Sequence, residues 1–144
     1  MTAKEKKVKK DIWKDIKIGD AVSFKIVIDE KKVSDFISLS GDKNPLHSDK
    51  KVAKIRGFEE PISHGMLLAS YFSTLVGMHF LKDHNLYLSQ IINFIKPVSV
   101  GEIIIVKGKV INKIESLRIL EIETVIINKK GKKVVSGSAK VKYI

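Results

Sequence analysis

The chain of 144 residues contains no cysteine. Disulfides, thiolate nucleophiles and thiolate metal ligands are therefore excluded. The absence fits a reducing compartment, and a cytoplasmic setting is expected. Long apolar runs are also missing. The longest, about 17 residues from 65 to 81, is broken by Ser70, Ser73, Thr74 and His79 and reads as a buried helix, not a membrane span. No membrane partner is expected. Met1-Thr2-Ala3-Lys4-Glu5-Lys6-Lys7 carries charge with no apolar segment behind it, so no secretory leader is expected. There is no Gly-x-Gly-x-x-Gly, P-loop or metal-ligand helix, so neither a metal nor a redox cofactor is expected.

What remains is 44% hydrophobic and 30% charged, the balance of an ordinary globular domain. The length suits one domain with a real core. The formal net charge is +11. A basic surface attracts polyanions, including nucleic acid and the phosphates of coenzyme A, or is simply a solvated lysine coat. The lysines are spread along the chain without a zinc, helix-turn-helix or RNA-binding signature, so a nucleic-acid partner is not expected.

Residues 1–11 read as a flexible basic tail, and residues 12–144 as a single domain. Trp13, Ile16 and Ile18 suit a segment docking on the body. Residues 21–28 alternate with Val22, Phe24, Ile26 and Ile28 on one face, as a half-buried strand does. Asp29 is placed to cap a helix over 30–40 that Gly41 ends. Residues 41–49 form a loop, and 50–55 a helical turn capped by Asp49 and ended by Gly57. The helix over 66–81 is apolar nearly all round, so other structure wraps it. Four strands follow, over 87–95, 102–114, 117–128 and 133–143, rich in β-branched residues. One buried helix followed by hairpin-linked strands is an α+β pattern, most simply an antiparallel sheet curled around the helix. Its exposed edge would need covering, which predicts a homodimer or higher oligomer.

Two motifs carry the chemistry. The first is Ser40-Gly41-Asp42-Lys43-Asn44-Pro45-Leu46-His47-Ser48-Asp49. Pro45 stops helix continuation, so Asp42 and His47 are presented from an irregular turn. A carboxylate and an imidazole near one water can divide proton transfer, each contributing roughly 10²–10⁴-fold. Read alone, Asp42 is equally a turn-capping residue, and Asn44 an Asx-turn residue. The second motif runs from Glu59 through Pro61, His64 and Gly65 to Ser70. Gly65 opens the buried helix, whose unpaired amides and positive end can stabilise a developing oxyanion. Alternatively, Gly65 relieves crowding where loop meets helix.

Asp42, Asn44, Pro45, His47 and Asp49 match a Gly-Asp-x-Asn-Pro-x-His-x-Asp pattern, and His64-Gly65-Met66 with its surroundings matches a second block. Together with Phe94-x-Lys96-Pro97-Val98 they resemble the MaoC-like (R)-specific enoyl-CoA hydratases. The resemblance runs from about Trp13 onward. It implies the hotdog fold and a hydro-lyase acting on an acyl-CoA or acyl-carrier-protein thioester, with no cofactor. By the same resemblance Asp42 and His47 are the catalytic pair and the Gly65 amide is the oxyanion donor. Asn44, Pro61, His64 and Ser73 fall on the substrate side, with Ser73 alternatively bonding along its own helix and His64 more structural than catalytic. A hotdog thioesterase and a non-catalytic dehydratase subunit are the competing readings. The first is disfavoured by the lack of Asp or Glu over 65–81, the second by the presence of both Asp42 and His47. Which member of the pair takes the proton from water stays open.

Overall fold

A computed structural model describes residues 11–144. Five strands form one antiparallel sheet: β1 (Ala21–Val27), β2 (Asn85–Phe94), β3 (Ile103–Ile114), β4 (Ile119–Asn128) and β5 (Lys133–Tyr143), in the order β1-β3-β4-β5-β2. Three helices accompany them: α1 (Glu30–Ser40), α2 (Lys50–Ile55) and α3 (Gly65–Leu75). A π turn over Val76–Phe80 prolongs α3. The sheet curls around α3, which is the expected hotdog arrangement.

Alternate residues of the three central strands face the helix. Ile104, Val106 and Val110 of β3, Leu120, Ile122 and Ile126 of β4, and Val135, Ala139 and Val141 of β5 are all buried. They meet Leu67, Leu68, Phe72, Leu75 and Val76 from the helix. Each large aliphatic side chain taken out of water contributes about 1.5–3 kcal/mol. The helix lies so close to β3 that a Cβ on Gly108 would sit 2.7 Å from Leu75 Cδ2.

Local signals place the helices as anticipated. Asp29 accepts from the Lys32 amide at 2.9 Å and caps α1, and that bond, with the Lys32 ammonium, holds its carboxyl below the usual carboxylate range. Gly41 closes α1 with φ of 76°, a conformation that favours glycine. Asp49 caps α2 through the Lys51 and Val52 amides.

Three features differ from the sequence expectations. The strands are not all joined by hairpins: β2 pairs with β5 at the far edge of the sheet, and residues 95–102 cross beneath the start of α3 to reach β3. Of the docking segment, Trp13 and Ile16 are buried, whereas Ile18 is exposed. Trp13 Nε1–H donates to Glu115 Oε2 at 2.8 Å, and Lys113 Nζ donates to the carbonyls of Trp13 and Ile16. Of the anticipated tail, residues 1–10 lie outside the described residues, while Asp11 caps the 3-10 turn Ile12–Asp15. Among the described residues, no helix is long and apolar enough to cross a membrane.

The β2–β5 pairing has no room for a side chain at Gly137, where a Cβ would fall 1.8 Å from the Ile91 carbonyl oxygen. Gly137→Ala should destabilise the fold by about 3 kcal/mol, at the upper end for overpacking. Gly77→Ala, with open space around it, should cost less than about 0.5 kcal/mol, as helix propensity favours alanine there. Urea unfolding of the two variants measures the difference.

Candidate active site

The loop between α1 and α2 is ordered by its own short side chains. Ser40 Oγ accepts from the Asp42 amide, Asp42 Oδ1 from the Asn44 amide at 3.1 Å, and Asn44 Oδ1 from the Leu46 amide at 3.1 Å. Pro45 then opens a 3-10 turn, Pro45–His47, where its fixed φ and missing N–H cost nothing. Asn44 thus fills its Asx role and is spent on local backbone.

This turn is strapped to the segment ahead of α3. The Ile62 amide donates to the Leu46 carbonyl at 3.2 Å, and His47 Nδ1–H donates to the Ile62 carbonyl at 2.7 Å. A carbonyl can only accept, so Nδ1 carries the proton in neutral His47 and Nε2 is left with a free lone pair. That segment is itself tied to the β2–β3 crossing. The Ser63 amide donates to Val98 and the Val100 amide to Pro61, both at 2.8 Å. Pro61 thereby fixes the register of the strap, and it lines a cavity on the far side of His47 with Val33, Ile37 and Val100.

Asp42 Oδ2 lies 3.9 Å from His47 Nε2. The gap is too long for a direct hydrogen bond, but one water can reach both atoms. The His47 side chain is 12% exposed and that of Asp42 51%, so the pair sits half sheltered. It lines a cavity of about 310 Å³ together with Phe36, Ser40, His64, Gly65 and Met66. His64 is buried, stacks on His47 with ring centroids 3.7 Å apart, and precedes Gly65 as the residue capping α3. No side chain caps the first turn of that helix, and its first two residues, Gly65 and Met66, border the cavity. Gly65 and Met66 also border a second cavity of about 420 Å³ lined by Leu68, Phe94, Ile95 and Val98.

Asp42, His47, His64 and Gly65, separated by up to 23 positions, are therefore brought together. Ser73 is not among them: it is exposed on α3, about 12 Å along the axis from Gly65 at 1.5 Å per residue. Phe36 lines the cavity although it lies outside both motifs, and Ser40 and Met66 line it although neither was singled out for a role. The one available signal was the 3.6-residue spacing that sets Phe36 and Ser40 on one face of α1. The donor atoms of Asp42, His47 and His64 lie within 4.8 Å of one another. However, the two imidazoles are stacked with only 26° between their planes. A metal ion lies in the plane of each imidazole that binds it, at about 2.0–2.1 Å for zinc, so one ring would have to turn to share it. The arrangement suits proton transfer through water.

Residues 3–132 match the family described as MaoC like domain. The chain belongs to that family. It is 40% identical over 111 residues to the (R)-specific enoyl-CoA hydratase of Aeromonas caviae, an alignment covering 77% of this chain and 83% of that protein. A mitochondrial 3-hydroxyacyl-acyl-carrier-protein dehydratase, FERN, of Solanum lycopersicum is 33% identical over 126 residues, covering 86% and 75%. The solved (R)-hydratase from A. caviae involved in PHA biosynthesis superposes with a TM-score of 0.87 at 36% identity, covering 90% of this chain and 98% of that one.

Gly65 is constrained as well as placed. A Cβ there would meet the Phe94 ring at 2.8 Å. Gly65→Ala should lower stability by about 1–3 kcal/mol through this clash, and adding Phe94→Ala should return about half of that by opening the space. Thermal unfolding of the single and double variants checks the coupling.

Proposed function

We propose that this protein catalyses the reversible addition of water to a trans-2-enoyl thioester, giving the (R)-3-hydroxyacyl thioester. The observation that carries the reading is the convergence of Asp42 Oδ2 and His47 Nε2, 3.9 Å apart, in the cavity that the Gly65 amide borders. Water held between the two side chains adds to C3 of the enoyl group. Its proton leaves to one of them, and a proton is delivered to C2. The free lone pair on His47 Nε2 suits it to accept the first proton. As water adds, negative charge gathers on the thioester oxygen, where the Gly65 amide and the positive end of α3 stabilise it. Loss of one such donor costs roughly 10²–10³ in rate. The backbone can approach the thioester at this point because no Cβ stands in the way. Coenzyme A or an acyl carrier protein would carry the acyl group, as the names of the relatives indicate for those proteins.

A second copy of the chain is part of this proposal. Edge strand β2 leaves Leu86, Leu88, Ile91 and Phe94 exposed, with Ile91 61% accessible. An apolar edge of this kind is an aggregation hazard unless it is paired. Joining two β2 edges would cover these side chains and continue the sheet from one copy into the next.

Two measurements test these statements. With crotonyl-CoA, the enoyl-thioester absorbance should fall without release of free thiol, and the product should be the (R) alcohol. Asp42→Asn and His47→Ala should each lower kcat by roughly 10²–10⁴-fold while circular dichroism stays native. Wild-type rates in both variants would refute the site, and thiol release would point to hydrolysis. Light scattering should give twice the chain mass for the wild type and the single chain mass for Ile91→Asp, which sets a charge on the edge.

A further inference from the structure

His64 has no part in the proton transfers described above, yet it is the most enclosed polar group at the site. Its side chain is 3% exposed. Its Nε2 stands 3.1 Å from the Asp42 backbone carbonyl, which can only accept, so Nε2 carries the proton. Its ring is stacked on His47 at 3.7 Å, and Phe36 leans on it with a centroid separation of 4.8 Å. Nδ1 is buried without any partner. A proton placed there would be a buried donor lacking an acceptor, a costly state. The Nε2–H tautomer therefore makes the ring's one hydrogen bond and leaves Nδ1 a bare acceptor.

We propose that His64 is a positioning residue. It bonds the backbone of Asp42 and stacks on the ring of His47, and so sets the gap between carboxylate and imidazole in register with the amide of Gly65, the next residue in the chain. Asp42 has half of its side chain in solvent and takes its place from the loop. The Nε2–H donor on Asp42 O is the bond that ties this loop to the start of α3. His47 is held at one edge by the Ile62 carbonyl, and the His64 ring stops it from tilting about that bond. The inference rests on the hydration chemistry proposed above, but its structural arm does not.

Two variants separate the components. His64→Phe keeps ring volume and stacking but removes the donor. His64→Gln restores an amide donor without the ring. Displacement of a reacting group by about 1 Å costs about 10² in rate. For crotonyl-CoA hydration, His64→Phe is expected to lose about 10² in kcat with KM within about threefold of wild type, and His64→Gln to recover about tenfold of that loss. The recovery distinguishes donor from packing, because the phenylalanine variant retains the packing. Nitrogen NMR of the histidine rings supplies the readout that needs no turnover. His64 should be Nε2-protonated and His47 Nδ1-protonated in the wild type, and His47 should keep its single tautomer in His64→Phe, which retains the stacking, but lose it in His64→Gln, which removes the ring. A kcat within about twofold of wild type in His64→Phe, or a raised KM with kcat unchanged, would overturn the proposal. So would an unaltered His47 tautomer in His64→Gln. If the wild type hydrated no enoyl thioester, the functional reading would fail and the NMR arm alone would decide the role of His64.

Discussion

Burial of α3 against the inner face of the sheet is the interaction on which the remaining structure rests. Leu75 and Phe80 lie so close to β3 that Gly108 has no space for a Cβ, which fixes the height of the helix above the strands. Once that height is set, the position of Gly65 is set, and with it the direction in which the unspent amides point. The loop carrying Asp42 and His47 is then brought to that end by one backbone bond and two imidazoles. The hydrophobic term decides where the helix lies, and the hydrogen bonds decide what faces its N-terminus. The two contributions are not interchangeable, because burial has no direction and a net hydrogen bond contributes only about 0.5–1.5 kcal/mol.

The site is economical in its use of polar groups. Asn44 and Asp49 look chemical in sequence, yet both are consumed by caps. Ser40 donates its hydroxyl back to the Phe36 carbonyl while accepting from Asp42. Asp42 divides its two oxygens, one on the Asn44 amide and one toward His47. His47 divides its two nitrogens, one on the Ile62 carbonyl and one toward Asp42. The side-chain atoms left without a hydrogen bond at the cavity include one carboxylate oxygen of Asp42, the Nε2 lone pair of His47 and the buried Nδ1 of His64. In the proposed hydration, the Asp42 oxygen and the His47 lone pair meet the water and the first amides of α3 meet the thioester.

Legibility from sequence followed the range of the interactions. The bounds of α1 and α2 were readable because Asp29, Asp49 and Gly41 act on neighbours within four residues. Alternation in β3, β4 and β5 was readable for the same reason. The placement of β2 at the far edge was not, because its own pattern is compatible with pairing to either β3 or β5, and only the partners' faces decide. The π turn over Val76–Phe80 left no mark, as its apolar residues look alike in either helical winding. At the site, Asp42 and His47 stood out by spacing across a proline. The stacking of His64 on His47 joins positions 17 apart through a turn and a strap, and no local rule encodes it. Ser73 entered through the family resemblance alone, and the structure places it eight residues of helical rise from Gly65.

Phe94 belongs to the sheet edge, and Gly65 begins the central helix, yet the aromatic ring of one occupies the space a methyl on the other would need. The two positions therefore cannot drift independently during descent. A lineage that acquires alanine at 65 first has to shrink 94, and shrinking 94 strips apolar surface from the exposed margin of the sheet. Substitutions at the start of the central helix and substitutions at the sheet edge are bound together through a single aromatic ring.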